Sequence, residues 1–513
     1  MTDNQENLMY RRYIEESFPI KEVSEISTRE KNIRHGHIST LHIWWARRPL
    51  ASSRATNYAA LIPAPNDIDE WQIKRNFIIE LSKWENSLNH MIINKAREDI
   101  LKANNGVPPR VLDPFAGGGS IPLEALRLGC EVHAIDYNPV AVLILKCTLE
   151  YPQKYGRAIK KREKNELGFE MEVEVNELIE DVKKWGEWVL REAKKEIGRF
   201  YPEDEDGSVV VGYIWARTIR CQNPVCEAEI PLMRQYWLAR KENKEVSLYP
   251  YIKDNRVEFK IVGDGYESMP DNFDPEKGTV SRAIATCLVC KGVVDDKTVR
   301  KLFSEGKASQ RMVAVVLHHP NRQGKTYRLA TEKDVEVFKE AERYLEEKRK
   351  KLMEEWGIDP VPDEEMPPKE TLGFRVQRYG MLKWGDLFNS RQKLALITFT
   401  EKVRLAYKKM IEESYDQEYA KAVVTYLGLA INGLAGHNAV LCVWANSRET
   451  AGNVFGRQAL PMIWDYFEVN VFSDSTGDMK SSLNWIFNVL SHILGIPPVV
   501  KEKMSNEMIE KWY

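Results

Sequence analysis

The 513-residue chain has no apolar run near the ~18 residues that a membrane-spanning helix needs, so no such helix is expected. It has little excess charge of either sign. Its 74 basic and 76 acidic residues leave a net charge of −2. That excludes a uniformly basic nucleic-acid binder, and any DNA-binding surface has to be a local patch. The opening stretch, MTDNQENLMYRRYIEESF, lacks the apolar centre of a signal peptide, and a cytoplasmic protein is expected. Cysteine is sparse. There are seven, an odd number, and four of them fall in close pairs, which in a reducing compartment favours metal over disulfides. What is present is ordinary for a folded protein: 43% hydrophobic residues, and length enough for two or three domains.

One stretch organises the rest. Arg110–Pro139 reads RVLDPFAGGGSIPLEALRLGCEVHAIDYNP. Arg110–Asp113 predicts a short strand. Pro114–Ser120 is a turn with three successive glycines. Ile121–Leu128 has apolar residues at helical spacing, and Glu131–Ile135 is a second strand ending on Asp136. Strand, glycine turn, helix, strand and acid form the opening of a doubly wound nucleotide-binding sheet. Glycines let a backbone approach a ligand closely. The helix that follows directs free N–H groups at an anionic group. An acid at Asp136 can accept hydrogen bonds from both hydroxyls of a ribose. Asn138 predicts the cap of the next helix, with Pro139 at its first position, and Tyr137 or Asn138 could touch an adenine or simply face solvent.

The turn reads DPFAGGGS rather than G-x-G-x-x-G, which weakens a dinucleotide reading. Its Asp-Pro-Phe-x-Gly-x-Gly form resembles motif I of the S-adenosylmethionine-dependent DNA amino-methyltransferases. That resemblance implies a cofactor site that includes Asp113, Pro114, Phe115, Gly117 and Gly119, in which the glycines flank the methionine part of the cofactor and Asp136 holds its ribose.

Upstream, Arg34–Ala55 reads RHGHISTLHIWWARRPLASSRA. His35, His37 and His42 lack the cysteine or acid spacing of a metal site, although one could form there. Arg47 and Arg48 could each pair bidentately with a carboxylate or phosphate. Taken with DPFAGGGS, the segment resembles the start of the large adenine-specific DNA methylases that carry a zinc ribbon in mid-chain. By that resemblance it precedes motif I and helps line the cofactor pocket, with Trp45 and Arg47 as candidates.

A ribbon is legible independently. Cys221-x4-Cys226 and Cys287-x2-Cys290 are two close pairs 60 residues apart, the layout of four thiolates around a tetrahedral zinc. A small module built on them needs the metal as a staple. Cys130, Cys147 and Cys442 sit in apolar surroundings and read as packing. Trp215, Arg217, Arg220, Arg234, Tyr236, Trp237 and Arg240 flank the first pair. They suit contact with a DNA backbone or an extruded base, and equally suit packing of the ribbon. The basic run at Lys160–Lys164 reads as a solvated face, with phosphate contact as the other option. Arg391-Gln392 and Arg457-Gln458 could contact ligand or tie helices together.

Amino-methyltransferases also need Asp, Asn or Ser, then Pro-Pro, then an aromatic residue, which together hold and stack the flipped base. Pro108-Pro109, Pro367-Pro368 and Pro497-Pro498 have neither the polar leader nor the aromatic follower. The resemblance covers roughly the N-terminal half of the family and places that motif beyond it. The expected fold is therefore α/β: a Rossmann-like S-adenosylmethionine methyltransferase core, incomplete in this chain, with an inserted zinc ribbon and additional helices. The expected organisation is 1–156 for the N-terminal segment and cofactor half, 157–208 a helical connector, 209–330 the ribbon insert, 331–370 a charged helix and linker, and 371–513 a helical C-terminal region. The expected function is the S-adenosylmethionine-binding half of a DNA adenine methyltransferase. Its partners would be DNA and a second subunit carrying the Asp/Asn/Ser-Pro-Pro-aromatic motif, and no membrane. The alternative is an inactive homologue that serves as a DNA-binding or assembly subunit.

Overall fold

The computed structural model describes residues 11–164, 170–368, 371 and 373–495. They are mixed α/β and divide into two compact units, each discontinuous in sequence: 11–185 with 410–429 and 484–495, and 186–409 with 430–483.

In the first unit, a one-turn helix at Tyr13–Glu16 and four longer ones come before the first strand among the described residues: α1 (Ile20–Glu30), α2 (Leu50–Leu61), α3 (Ile68–Ser82) and α4 (His90–Ala103). The last two fill the 68–103 stretch, whose periodicity predicts one helical packing face. A turn at Trp84–Asn86 separates them, and each starts on a side-chain cap, Asp67 and Asn89. Ile78, Leu81, Ile93, Ala96 and Ile100 are buried against Tyr58, Ala59 and Ala125, while Met91 faces solvent. Then come β1 (Arg110–Asp113), α5 (Ser120–Arg127), β2 (Glu131–Ala134) and α6 (Pro139–Leu145). β1 and β2 pair in parallel, Arg110 opposite Glu131 through Asp113 opposite Ala134. The connection through α5 is the single crossover that a parallel pair requires. Asn138 caps α6 by accepting from the Val140 N–H, with Pro139 at the first helical position. Among the described residues no third strand joins this pair.

Residues 157–208, expected to be a helical connector, are helical only in part. An antiparallel hairpin of β3 (Ala158–Lys164) and β4 (Glu170–Asn176) comes first, and then α7 (Glu177–Ile197). The alternation of charged and apolar residues in EMEVEVN is the period of a strand, and it lies beneath a charge density that reads as a solvated helix. Lys160 and Lys161 pair with Glu172 and Glu180, so much of this basic run is already neutralised.

The second unit is built on a curled antiparallel sheet. Its long central strand, β5 (Val209–Arg220), pairs along one side with β7 (Ser309–His318), and β8 (Thr326–Leu329) continues the hairpin beyond it. On its other side β5 pairs with β6 (Glu229–Leu232) near its end, and with β9 (Asp465–Val469) nearer its start. The stretch 371–513, expected to be helical, thus supplies a core strand as well as the helices Ser390–Glu412, Gln417–His437 and Met479–Leu494. A second small sheet, Trp237–Lys241, Lys244–Lys253 and Arg256–Gly263, packs into the same core. The charged helix Glu332–Trp356 starts on a capping box at Thr331 and Asp334 and ends on Gly357.

Candidate functional site

The glycine turn is held by its own backbone and by the two acids that flank it. Asp113 accepts from the Phe115 N–H at 3.2 Å. Asp136, just beyond β2, accepts from the Gly117 N–H at 2.8 Å through Oδ2 and from the Asn138 N–H at 2.8 Å through Oδ1. One carboxylate thereby joins the turn after β1 to the turn after β2, across the crevice at the carboxyl ends of the strands. Gly117 and Gly119 have φ of +52° and +78°, the left-handed region where glycine has no penalty. Gly117 and Gly118 also have no room for a side chain. A Cβ on Gly117 would stand 2.6 Å from Trp44 Nε1, and one on Gly118 would stand 2.7 Å from Arg47 Nε.

The upstream segment therefore lies directly on the turn. Ser120, the first residue of α5, donates its hydroxyl to the Arg48 carbonyl at 2.7 Å and pins the two together. Trp44 is the tryptophan that meets Gly117. Its neighbour Trp45 has 53% of its surface in solvent, a one-residue offset that an adjacent pair of identical side chains conceals in sequence. Arg47 donates from Nη2 to the His42 carbonyl at 3.0 Å. Its Nε and Nη1 are covered and have no hydrogen-bond partner, and burial draws its guanidinium down to about 10. Phe115 is 84% exposed and Tyr137 is fully exposed, so both stand open at the rim, while Pro114 lies in the turn between them and β1.

Two of the three histidines of this segment, His37 and His42, bond to groups of the protein, and His35 is exposed. His37 Nε2 meets Glu30 Oε1 at 3.0 Å, and its Nδ1 meets Ser39. Glu30, buried at the end of α1, accepts from the backbone N–H groups of Leu50 and Ala51, both at 2.7 Å, and so holds the start of α2. Burial pushes the Glu30 carboxyl up, but the bonds from His37, Ala51 and Leu50 outweigh it and hold the carboxyl below its ordinary range. His42 is turned to the Ile43 carbonyl. A further group that local reading misses is a fully buried triad. Glu124 Oε2 meets Arg54 Nε at 2.8 Å and Arg127 Nε at 3.0 Å, which clamps α2 to α5.

The second candidate centre is in the other unit. Cys221 and Cys226 follow β5, and Cys287 and Cys290 lie on a later turn. The four sulfurs lie within 4.8 Å of one another, with Cys221 to Cys290 at 3.6 Å and Cys226 to Cys287 at 3.8 Å. These separations are far longer than the roughly 2.05 Å of a disulfide. The cluster could hold a metal ion, and it is the one such group of histidine, cysteine or acid side chains among the described residues. The Gly292 N–H donates to Cys290 Sγ at 3.4 Å and draws that thiol down to about 7. Apolar side chains, among them Ile219, Ile230, Leu232, Ala285 and Val294, pack around the cluster. Cys130, Cys147 and Cys442 are buried singly.

Of the aromatic and arginine residues near the first pair, Trp215, Arg217, Tyr236 and Trp237 are buried. Trp215 Nε1 donates to Glu468, and Arg217 donates to the Ile463 and Val440 carbonyls. Arg220, Arg234 and Arg240 remain at the surface. Arg391 is buried and pairs with Glu468 at 2.7 Å while Gln392 bonds Asn389, so this polar pair ties elements together, and Arg457 and Gln458 are exposed. Pro497-Pro498 lies outside the described residues.

Residues 17–86 match a family model described as a protein of unknown function, DUF1156. The matched stretch includes Glu30, His37, Trp44, Arg47 and Arg54, and ends before the glycine turn. No curated protein and no solved structure matches the chain.

Proposed function

We propose that this chain is the S-adenosylmethionine-binding half of a DNA adenine methyltransferase, whose Pro-Pro-aromatic motif comes from another polypeptide. The observation that carries the reading is Asp136, held at the carboxyl end of β2 and bonded to the Gly117 N–H of the glycine turn. An acid in that place has lone pairs left for two ribose hydroxyls. The turn beside it is glycine, packed closely against Trp44 and Arg47, and the open Phe115 and Tyr137 rings offer faces for an adenine. The residues fit the cofactor: a ribose acid, a glycine cradle, and an arginine with unmet donors. When bound, S-adenosylmethionine supplies a methyl group on a sulfonium, and the residues here orient it and do no proton chemistry. The target amine would be bound by the partner's motif.

On the same reading the four-cysteine cluster holds zinc. A tetrahedral zinc with Zn–S bonds of about 2.3 Å sets its sulfurs about 3.8 Å apart, and the Cys221–Cys290 and Cys226–Cys287 separations are 3.6 and 3.8 Å. The exposed Arg220 and Arg234 are the groups we assign to DNA phosphates, while Arg240, also exposed, is paired with Glu276.

The test has two parts. Calorimetric titration with S-adenosylmethionine should show saturable binding that Asp136→Ala weakens. Isolation from its own cells, with native mass and peptide identification, should return a stoichiometric partner carrying Asp/Asn/Ser-Pro-Pro-aromatic. No binding by the chain, alone or with any partner recovered, would end the cofactor reading.

A further inference from the structure

Arg47 has two donors that nothing in the described residues meets. Its Nη2 is fixed on the His42 carbonyl, which orients the guanidinium, while Nε and Nη1 are shut off from solvent without a partner. No acid forms an ion pair with it among the described residues. Buried polar groups are nearly always paired, so an orphaned arginine marks a place where an anion belongs. Its surroundings repeat the sign. Arg47 lies against Gly118, α5 starts two residues later, and the first amides of a helix have no partner within the helix. The Trp44 indole nitrogen stands over Gly117 beside it. The order along the turn also has a direction. Asp136 bonds Gly117, and Arg47 packs on the next residue, Gly118.

We propose that Arg47, with the amino end of α5, forms a carboxylate subsite that takes the amino-acid end of an adenosyl–amino acid ligand whose ribose rests on Asp136. This inference rests on the cofactor reading above and adds to it which chemical group each end of the crevice recognises. Arginine suits the task because its fork presents parallel donors to a carboxylate.

The test compares two ligands on the full chain. S-adenosylhomocysteine carries the carboxylate and amine, and 5′-methylthioadenosine keeps the nucleoside and sulfur but lacks both. The parent protein should bind S-adenosylhomocysteine the more tightly. Arg47→Met should weaken S-adenosylhomocysteine about 10- to 100-fold, the range for bonds to a charged group, and leave 5′-methylthioadenosine unchanged. Retained binding of the smaller ligand also shows that the variant is folded, and Arg47→Lys, which keeps the charge without the fork, should fall between. Equal weakening of both ligands by a folded variant, or no weakening of either, would overturn the subsite while leaving the cofactor reading in place. Failure of the parent to bind either ligand would overturn both.

Discussion

The buried triad offers the sharpest test of how the glycine turn is held. Glu124 stands between two guanidiniums, with Arg54 and Arg127 both on its Oε2 and all three side chains out of solvent. The arginines reach further. Arg54 Nη1 donates to the Leu81 and Lys83 carbonyls at 3.1 and 3.3 Å, and Arg127 Nη1 donates to the Ser87 carbonyl at 2.8 Å. One carboxylate therefore balances two charges that also bind the end of α3 and the turn after it. Glu124→Gln keeps the shape and removes the charge, so two cations are left in a dry core. Breaking a buried pair in this way costs about 3–5 kcal/mol, which for a unit of this size lowers the melting temperature by about 6–20 °C. Scanning calorimetry of the full chain measures it. The control is Glu80→Gln, which removes the exposed Lys83–Glu80 pair and should move the transition by no more than the about 1 kcal/mol such pairs are worth. A Glu124→Gln protein that melts with the parent would refute the claim that this charge is needed in the core.

Three other outcomes follow from the same geometry. On the zinc reading, chelation, or Cys287→Ser, should release one metal equivalent per chain in elemental analysis and lower the melting temperature by more than the about 2–4 °C that one kcal/mol is worth, since metal binding there would be folding energy. Burial pushes the Asp465 carboxyl up to about 7 although Oδ1 accepts from the Arg234 N–H. The folded state then keeps a proton that the unfolded chain has lost, so stability falls as pH rises from the ordinary carboxylate range to about 7. Asp465→Asn should flatten that slope in urea titrations and exceed the parent above it. Glu30 has the opposite sign. Its lowered folded-state value gives stability that is present above the ordinary carboxylate range and lost as pH falls through the folded-state value, so the deficit of Glu30→Gln, about 1.5–3 kcal/mol per bond lost, should close under acid.

The features that local chemistry writes were legible. Arg110–Asp113, the glycine turn and the helix after it occupy adjacent residues and obey short-range rules, and the structure has each within a residue of its expected bounds. The cysteine cluster was legible because two close pairs are improbable without a common purpose. Long-range partners were not. Asp465–Val469 is five residues in a region of helices, and only β5, some 250 residues earlier, makes it a core strand. Arg54 and Glu124 carry no local mark of burial, since charged side chains mostly lie at the surface, and nothing local to them or to Arg391 names a partner. Trp44 and Trp45 cannot be ranked by sequence, since only the fold decides which of the two turns to Gly117.

On the split-enzyme reading, the β1–β2 pair gives the partner a physical role as well as a motif to supply. Parallel strands are stable where both faces are covered and both edges paired. Here Leu112 on β1 is 61% exposed and Ile135, just past β2, is 57% exposed, and α6 carries Val140, Val142 and Leu143 at the surface. These are residues of the kind that line the inside of a doubly wound sheet. They lie beside the crevice that Asp136 and the glycine turn define. If further parallel strands joined β1, they would bury this belt and bring their own carboxyl ends to the same crevice, which is where ligands sit in such sheets. On the split-enzyme reading, then, completing the sheet and delivering the catalytic motif are one event. Cofactor affinity should rise when the partner binds, because the adenine-facing rim of Phe115 and Tyr137 would close with it. A partner that bound elsewhere, leaving Leu112 and Ile135 open to labelling or hydrogen exchange, would break that link and favour a role in assembly.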